Sequence, residues 1–145
     1  MSSELKAGYQ KPLPTKSRDG ATFWKATRRH QLVTQHCPDC DKHQFPPRRL
    51  CVHCGGRRVD WRQVSGKGEI YSFTIVHRAP EPSFSPEVPY VVAVVDLAEG
   101  GRMMTNIVGC RTDEVRVGMP VSATFEEVTD EVTLVKFRPA AGAAR

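Results

Sequence analysis

Four of the chain's five cysteines fall in two Cys-x-x-Cys pairs, Cys37-Pro38-Asp39-Cys40 and Cys51-Val52-His53-Cys54, with ten residues between them. Each pair closes a tight turn that aims two sulfurs at one centre, and two such turns face to face supply four thiolates in a tetrahedron. The spacing predicts a structural zinc site held by Cys37, Cys40, Cys51 and Cys54, closed to substrate because protein fills every coordination position. Iron in a rubredoxin-like arrangement uses the same four ligands. Disulfides do not suit a chain that opens without an export signal, and a redox dithiol would not be doubled. Gly55 and Gly56 follow the second pair, where a positive φ lets backbone amides reach the sulfurs, and Asp41 stands at the equivalent place after the first. His36, His43 and His53 lie close by, but four cysteines leave them no ligand role.

A metal ribbon of this size has little core, so the ion must supply most of its folding free energy, on the order of 10 kcal/mol. The pattern predicts a strand from Gln31 to His36 entering the site, a return from His43 to Leu50, and an exit from Arg57 to Val64 with Val59 and Trp61 alternating against polar neighbours. Ahead of the ribbon, Asp19 is expected to cap a short helix from Gly20 to Arg29. Phe23, Thr27 and His30 share one side of it, with Trp24 beside them and Lys25, Arg28 and Arg29 opposite. Two adjacent large aromatics on so short a helix need cover, either from the ribbon or from a partner. Phe23 and Trp24 are therefore candidate partner-interface residues.

Charge divides the chain in two. Through Val64 there are 13 Lys+Arg against 5 Asp+Glu, and from Ser65 onward 8 against 11. The basic half can meet phosphate or an acidic protein surface. The longest apolar run, Tyr90 to Val95, is six residues, far below the roughly 20 that span a bilayer. Met1 to Lys16 is polar, with two prolines and three lysines, and reads as neither signal nor anchor. A cytoplasmic protein without membrane contact is the expectation.

From Ser65 the pattern becomes five strands: Lys67 to His77, Tyr90 to Leu97, Arg102 to Gly109, Met119 to Val128 and Glu131 to Arg138. Thr112 to Val115 forms a helical turn between the third and fourth, and Arg78 to Pro89, with four prolines and Phe84, is a loop. Three strands, a helical turn and two strands is the order of an OB barrel, with an SH3-like small barrel as the alternative. The fold class is mostly β: an N-terminal helix, a rubredoxin-like zinc ribbon, then a five-stranded OB barrel. The expected division is a flexible tail over 1–18, the helix and its following strand over 19–36, the ribbon over 37–64, the barrel over 65–140 and a tail over 141–145.

This combination resembles the acyl-CoA-associated ribbon/OB-fold family, long catalogued as a domain of unknown function. The residues that carry the resemblance are Phe23-Trp24, Leu32-Val33, the four cysteines, Phe45-Pro46-Pro47-Arg48, Gly68 to Thr74, Val76-His77-Arg78, Pro89 to Ala93, Thr105 to Gly109 and Val117 to Val121. They span residues 20–138 and are specific in combination. Asp41 departs from the glycine often found after the first pair. The resemblance implies a non-catalytic partner of a thiolase-fold enzyme: an acetoacetyl-CoA thiolase, a hydroxymethylglutaryl-CoA synthase, or a lipid-transfer-protein-like aldolase that shortens steroid side chains.

Within that implication, Arg48, Arg49, Arg57 and Arg58 are candidates to meet the phosphates of a shared acyl-CoA or an acidic enzyme surface, since guanidinium pairs bidentately with both. His77, Arg78, Phe84 and Tyr90, around the stiff loop between the first two barrel strands, are candidates to wall the acyl end of the substrate channel. No Ser-His-Asp order, carboxylate pair or phosphate loop can be read, so the isolated chain is not expected to be an enzyme. His77 and Cys110 each read more simply as structural side chains. The competing class is a single-stranded nucleic-acid-binding module, which a basic ribbon beside an OB barrel would suit. Against it, the barrel half is net negative, and Tyr71 and Phe73 share an alternating face with Ile75 that is expected to point into the core.

Overall fold

The structure, a computed structural model, describes residues 5, 6 and 8–140. The expected tail at 141–145 and the first four residues lie outside the described residues.

One helix, α1 (Ala21–Arg28), precedes three strands of the ribbon: β1 (Val33–Cys37), β2 (Lys42–Gln44) and β3 (Asp60–Gln63). They form an antiparallel sheet in the order β2-β1-β3, and all five residues of the middle strand are buried. The return strand is far shorter than His43 to Leu50. Phe45 is followed by Pro46 and Pro47, which have no N–H to give a ladder, so pairing stops at Gln44.

Five strands follow: β4 (Lys67–Val76), β5 (Tyr90–Leu97), β6 (Arg102–Ile107), β7 (Pro120–Glu127) and β8 (Thr133–Pro139). They close into a barrel in the order β4-β5-β6-β8-β7, with β7 pairing back to β4 and β6 meeting β8 in parallel at Ile107 and Phe137. This is the OB arrangement. Every second residue of β5 points inward, and Val91, Ala93, Val95 and Leu97 join Ile70, Met103, Val121 and the fully buried Phe137 in the core. The loop from Arg78 to Pro89 contains a 3-10 helix, Pro82–Glu87.

Four expectations are corrected. Asp19 does not cap α1: Gly20 takes the N-cap position, and the Gly20 amide donates to Ser17 Oγ at 3.1 Å. The helix packs on the barrel strand β8 as well as on β1, so its aromatics find cover within the chain itself. Tyr71 is not a core residue. Ile70 pairs with Val95 and Ser72 with Val94, leaving Tyr71 as the extra residue of a β-bulge that turns it outward at 50% exposure. Arg102 stacks over its ring at 3.7 Å. Lastly, the segment expected as a free tail runs along the barrel where it is described. Leu5 bridges Thr129, the Lys6 amide donates to Val128 O at 2.8 Å, and Lys11 Nζ pairs with Glu87 at 2.8 Å.

Candidate metal centre

The two Cys-x-x-Cys turns project from the ribbon so that all four sulfurs lie within 4.8 Å of one another. Cys37 Sγ and Cys54 Sγ are 3.7 Å apart, and Cys40 Sγ and Cys51 Sγ 3.6 Å. A tetrahedron with metal–sulfur bonds of about 2.3 Å has edges of about 3.8 Å. A disulfide would need about 2.05 Å. The donor set therefore fits a metal ion and leaves no position open.

Local backbone geometry explains how the turns form. After Cys51 the chain closes on itself with the Gly55 amide donating to Cys51 O at 2.9 Å, and Gly55 takes a φ of +76°. The His53 amide points at Cys51 Sγ at 3.3 Å. At Gly56 a Cβ would stand 2.8 Å from Asp39 Oδ2 and 3.3 Å from Cys54 Sγ, so backbone alone fits against the sulfurs. The first turn is equivalent: the Asp41 amide donates to Cys37 O at 2.7 Å, with Asp41 at a φ of +58°. Aspartate tolerates that region, and here its carboxylate hydrogen-bonds His36 Nε2 at 2.7 Å, a contact that holds the Asp41 carboxyl below its usual range.

Charge within the cluster is divided unevenly. Burial and hydrogen bonds from neighbouring thiols push the Cys40 thiol up to about 12. At Cys51 burial opposes ionisation, but the Cys54 and His53 amides aimed at the sulfur bring it down to about 6. Four thiolates this close repel one another unless a cation stands between them.

A polar network behind the metal turns has no signal in the sequence. Gln35 and Gln44, both buried, face each other across β1 and β2. Gln44 Nε2 donates to Gln35 Oε1 at 2.7 Å and to Leu50 O at 3.1 Å, while Gln44 Oε1 accepts from the Val52 amide at 2.8 Å. Gln35 Oε1 also accepts the Arg48 amide at 2.7 Å. Read one strand at a time, both glutamines look solvent-facing; only their cross-strand pairing reveals the role. The ribbon is seated on the barrel where Gly101 (φ +91°) lets the β5–β6 turn approach the Phe45 backbone, at 3.2 Å for a built Cβ. A cleft of about 420 Å³ between ribbon and turn is lined by Phe45, Val52, His53, Leu97 and Arg102 among others.

The remaining sequence candidates fall into separate groups. Arg48, Arg49, Arg57 and Arg58 are exposed on the loops flanking the second cysteine pair, with Arg58 paired to Asp39 and Arg49 Nε 3.7 Å from Asp19. His77 and Arg78 are exposed at the end of β4, and Phe84 packs on Tyr90 with ring centroids 5.8 Å apart. Among the described residues no hydrogen bond, ion pair or ring contact joins the arginines to this second group. The two helix aromatics part company. Phe23 is only 7% exposed, against Phe45 at 5.2 Å, so it belongs to the core and not to an interface. Trp24 is half-buried, edge-on to Phe23 at 5.1 Å, and lines an apolar cleft of about 300 Å³ with Met103, Met104 and Leu134.

Comparison with known proteins decides the family. The rubredoxin-like zinc ribbon domain of ChsH2 matches residues 24–60, and the C-terminal OB-fold domain of ChsH2 follows at 61–126. The chain belongs to the ChsH2-type DUF35 family. A solved chain of the Ltp2-ChsH2(DUF35) aldolase superposes with a TM-score of 0.78 at 41% identity, covering 88% of this chain and 99% of that one. The probable enoyl-CoA hydratase alpha subunit of Thermomonospora curvata is 41% identical over 95% of this chain, which spans 43% of that subunit. A DUF35 domain-containing scaffold protein of Methanocaldococcus jannaschii is 35% identical over 71% of this chain and 73% of its own length. Among the described residues no helix is long and apolar enough to cross a membrane.

Proposed function

We propose that this chain is a non-catalytic accessory subunit of a thiolase-fold or lipid-transfer-protein-like enzyme acting on an acyl-CoA, of the kind that cleaves steroid side chains. The observation that carries this reading is the match, at 41% identity over 88% of this chain, to a chain of the Ltp2-ChsH2(DUF35) aldolase. The scaffold names of the archaeal relatives support a structural role. A relative from Mycobacterium tuberculosis, 35% identical, is the 3-oxo-4,17-pregnadiene-20-carboxyl-CoA hydratase alpha subunit, and this chain spans 37% of it. That relation supports a steroid-acyl-CoA as the substrate of the complex.

In this reading the metal is zinc, held by Cys37, Cys40, Cys51 and Cys54, and its chemistry is structural: it ties two turns together and reacts with nothing. Arg48, Arg49, Arg57 and Arg58 meet the acyl-CoA or the enzyme, His77, Arg78, Phe84 and Tyr90 lie beside the substrate channel, and the exposed edge of Trp24 faces the partner. Co-expression with the thiolase-like enzyme of the same organism tests the proposal. The two should co-purify, and the enzyme should lose activity or solubility without its partner. Turnover of an acyl-CoA by this chain alone would refute it.

The nucleic-acid reading gains one point and keeps its main difficulty. Tyr71 is exposed on the barrel, as a stacking platform requires, but its face is already covered by Arg102, which is itself paired with Asp96 at 2.6 Å. Phe73 packs against the core and offers no second platform.

A further inference from the structure

Cys51 is 3% exposed, yet its neighbours in the chain, Leu50 and Val52, are 47% and 62% exposed. Residues 47–58, which carry them, include four arginines and no carboxylate. Arg48 and Arg57 are exposed; the Arg49 and Arg58 side chains are 78% and 74% exposed in spite of their contacts with Asp19 and Asp39. Single exposed aliphatic residues are ordinary on a protein surface. What sets this segment apart is how it is held. Gln35 and Gln44 lock the backbone at Arg48, Leu50 and Val52 from behind, in addition to the anchor that Cys51 provides. A held loop that carries two exposed aliphatic side chains and four arginines in twelve residues has the composition of an interface, with its ordering cost already met in the free chain.

We infer that this ribbon finger is the docking element for the thiolase-fold partner, and that the partner answers it with an apolar patch ringed by aspartate and glutamate. The choice of occupant follows from charge: Asp19 and Asp39 contact Arg49 and Arg58, but the segment itself holds four cations and no carboxylate, and such a surface repels a basic partner and favours an anionic one. The inference rests on the proposed function and adds to it the surface used and the chemistry of the surface that meets it.

The experiment measures affinity of the full chain for the thiolase-like enzyme of its own organism, by titration calorimetry, for the wild type and three variants. Metal content and thermal midpoint are recorded for each. Arg48→Glu/Arg49→Glu and Leu50→Ser/Val52→Ser should each weaken binding tenfold or more with the metal retained. The charge variant's defect should shrink as salt rises, and the aliphatic variant's should not. Val117→Ser, at an exposed aliphatic residue of the barrel, should bind like wild type. Wild-type binding with both finger variants within twofold of it overturns the inference and leaves the proposed function intact. Loss of metal with undiminished binding per metal-loaded molecule also overturns it, since the arginines would then only balance the thiolates. Binding of a single-stranded oligonucleotide that Arg48→Glu/Arg49→Glu abolishes, with enzyme affinity unchanged, overturns it in favour of nucleic acid. Failure of the wild type to bind the enzyme at all removes both proposals.

Discussion

The side-chain amide of Gln44 donates to Gln35 Oε1 at 2.7 Å between buried positions of two paired strands, and between them the pair holds three backbone groups of the loop that carries Cys51. Gln44→Leu fills the same space but leaves Leu50 O and the Val52 amide without partners. Each unsatisfied buried group costs about 1–3 kcal/mol. A loss of about 2–4 kcal/mol of stability is expected, read by urea denaturation of the metal-loaded protein. An unchanged midpoint would mean that water replaces the glutamine at both groups.

Thiol counting tests the metal centre. Purified protein should hold about one metal ion per chain, with Cys37→Ser and Cys54→Ser losing both metal and ribbon structure. In the loaded protein, none of the five cysteines should react quickly with a thiol reagent at neutral pH. Four are ligands, and burial, with the nearby Glu114, pushes the Cys110 thiol up, keeping it protonated. A strong chelator should make four further thiols accessible to the reagent as the ribbon loses its structure. Because ligands must be deprotonated to bind, release should become easier as pH falls. Elemental analysis showing neither zinc nor iron in folded protein would end this reading.

The helix aromatics should separate under mutation. Phe23→Ala removes a buried ring and is expected to cost about 3–4 kcal/mol, with no change in partner affinity per folded molecule. Trp24→Ala removes a half-buried ring, should cost about 2 kcal/mol, and should weaken partner binding as well. Thermal unfolding alongside a binding titration distinguishes them. Equal loss of binding for both would mean that Trp24 affects the partner only through the stability of the helix.

The metal centre was legible because cysteine spacing encodes a local geometry: each turn needs only its own residues, and two turns need only meet. The barrel was legible for a similar reason, since strands of period two with turn residues between them announce their number and order. What escaped depends on partners distant in sequence. The burial of Phe23 depends on the packing of α1 against β8, more than a hundred residues away, and Leu5 and Lys6 are held by Thr129 and Val128, just after β7. Tyr71 escaped for a subtler reason. The alternation of Tyr71, Phe73 and Ile75 looks regular, but the bulge opposite Val94 and Val95 inserts one residue and reverses the face of Tyr71 alone. Gln35 and Gln44 were unreadable because a polar residue on a short strand signals solvent unless its cross-strand neighbour is known.

The most direct test of the accessory role is the mass of the mixed proteins by size-exclusion light scattering. The full-length chain and the thiolase-like enzyme of its organism are purified separately and combined at micromolar concentration. A single peak heavier than either component, containing both chains in fixed ratio, is the expected result. Two peaks at the masses of the separate proteins, each with its metal content and fold intact, would contradict it.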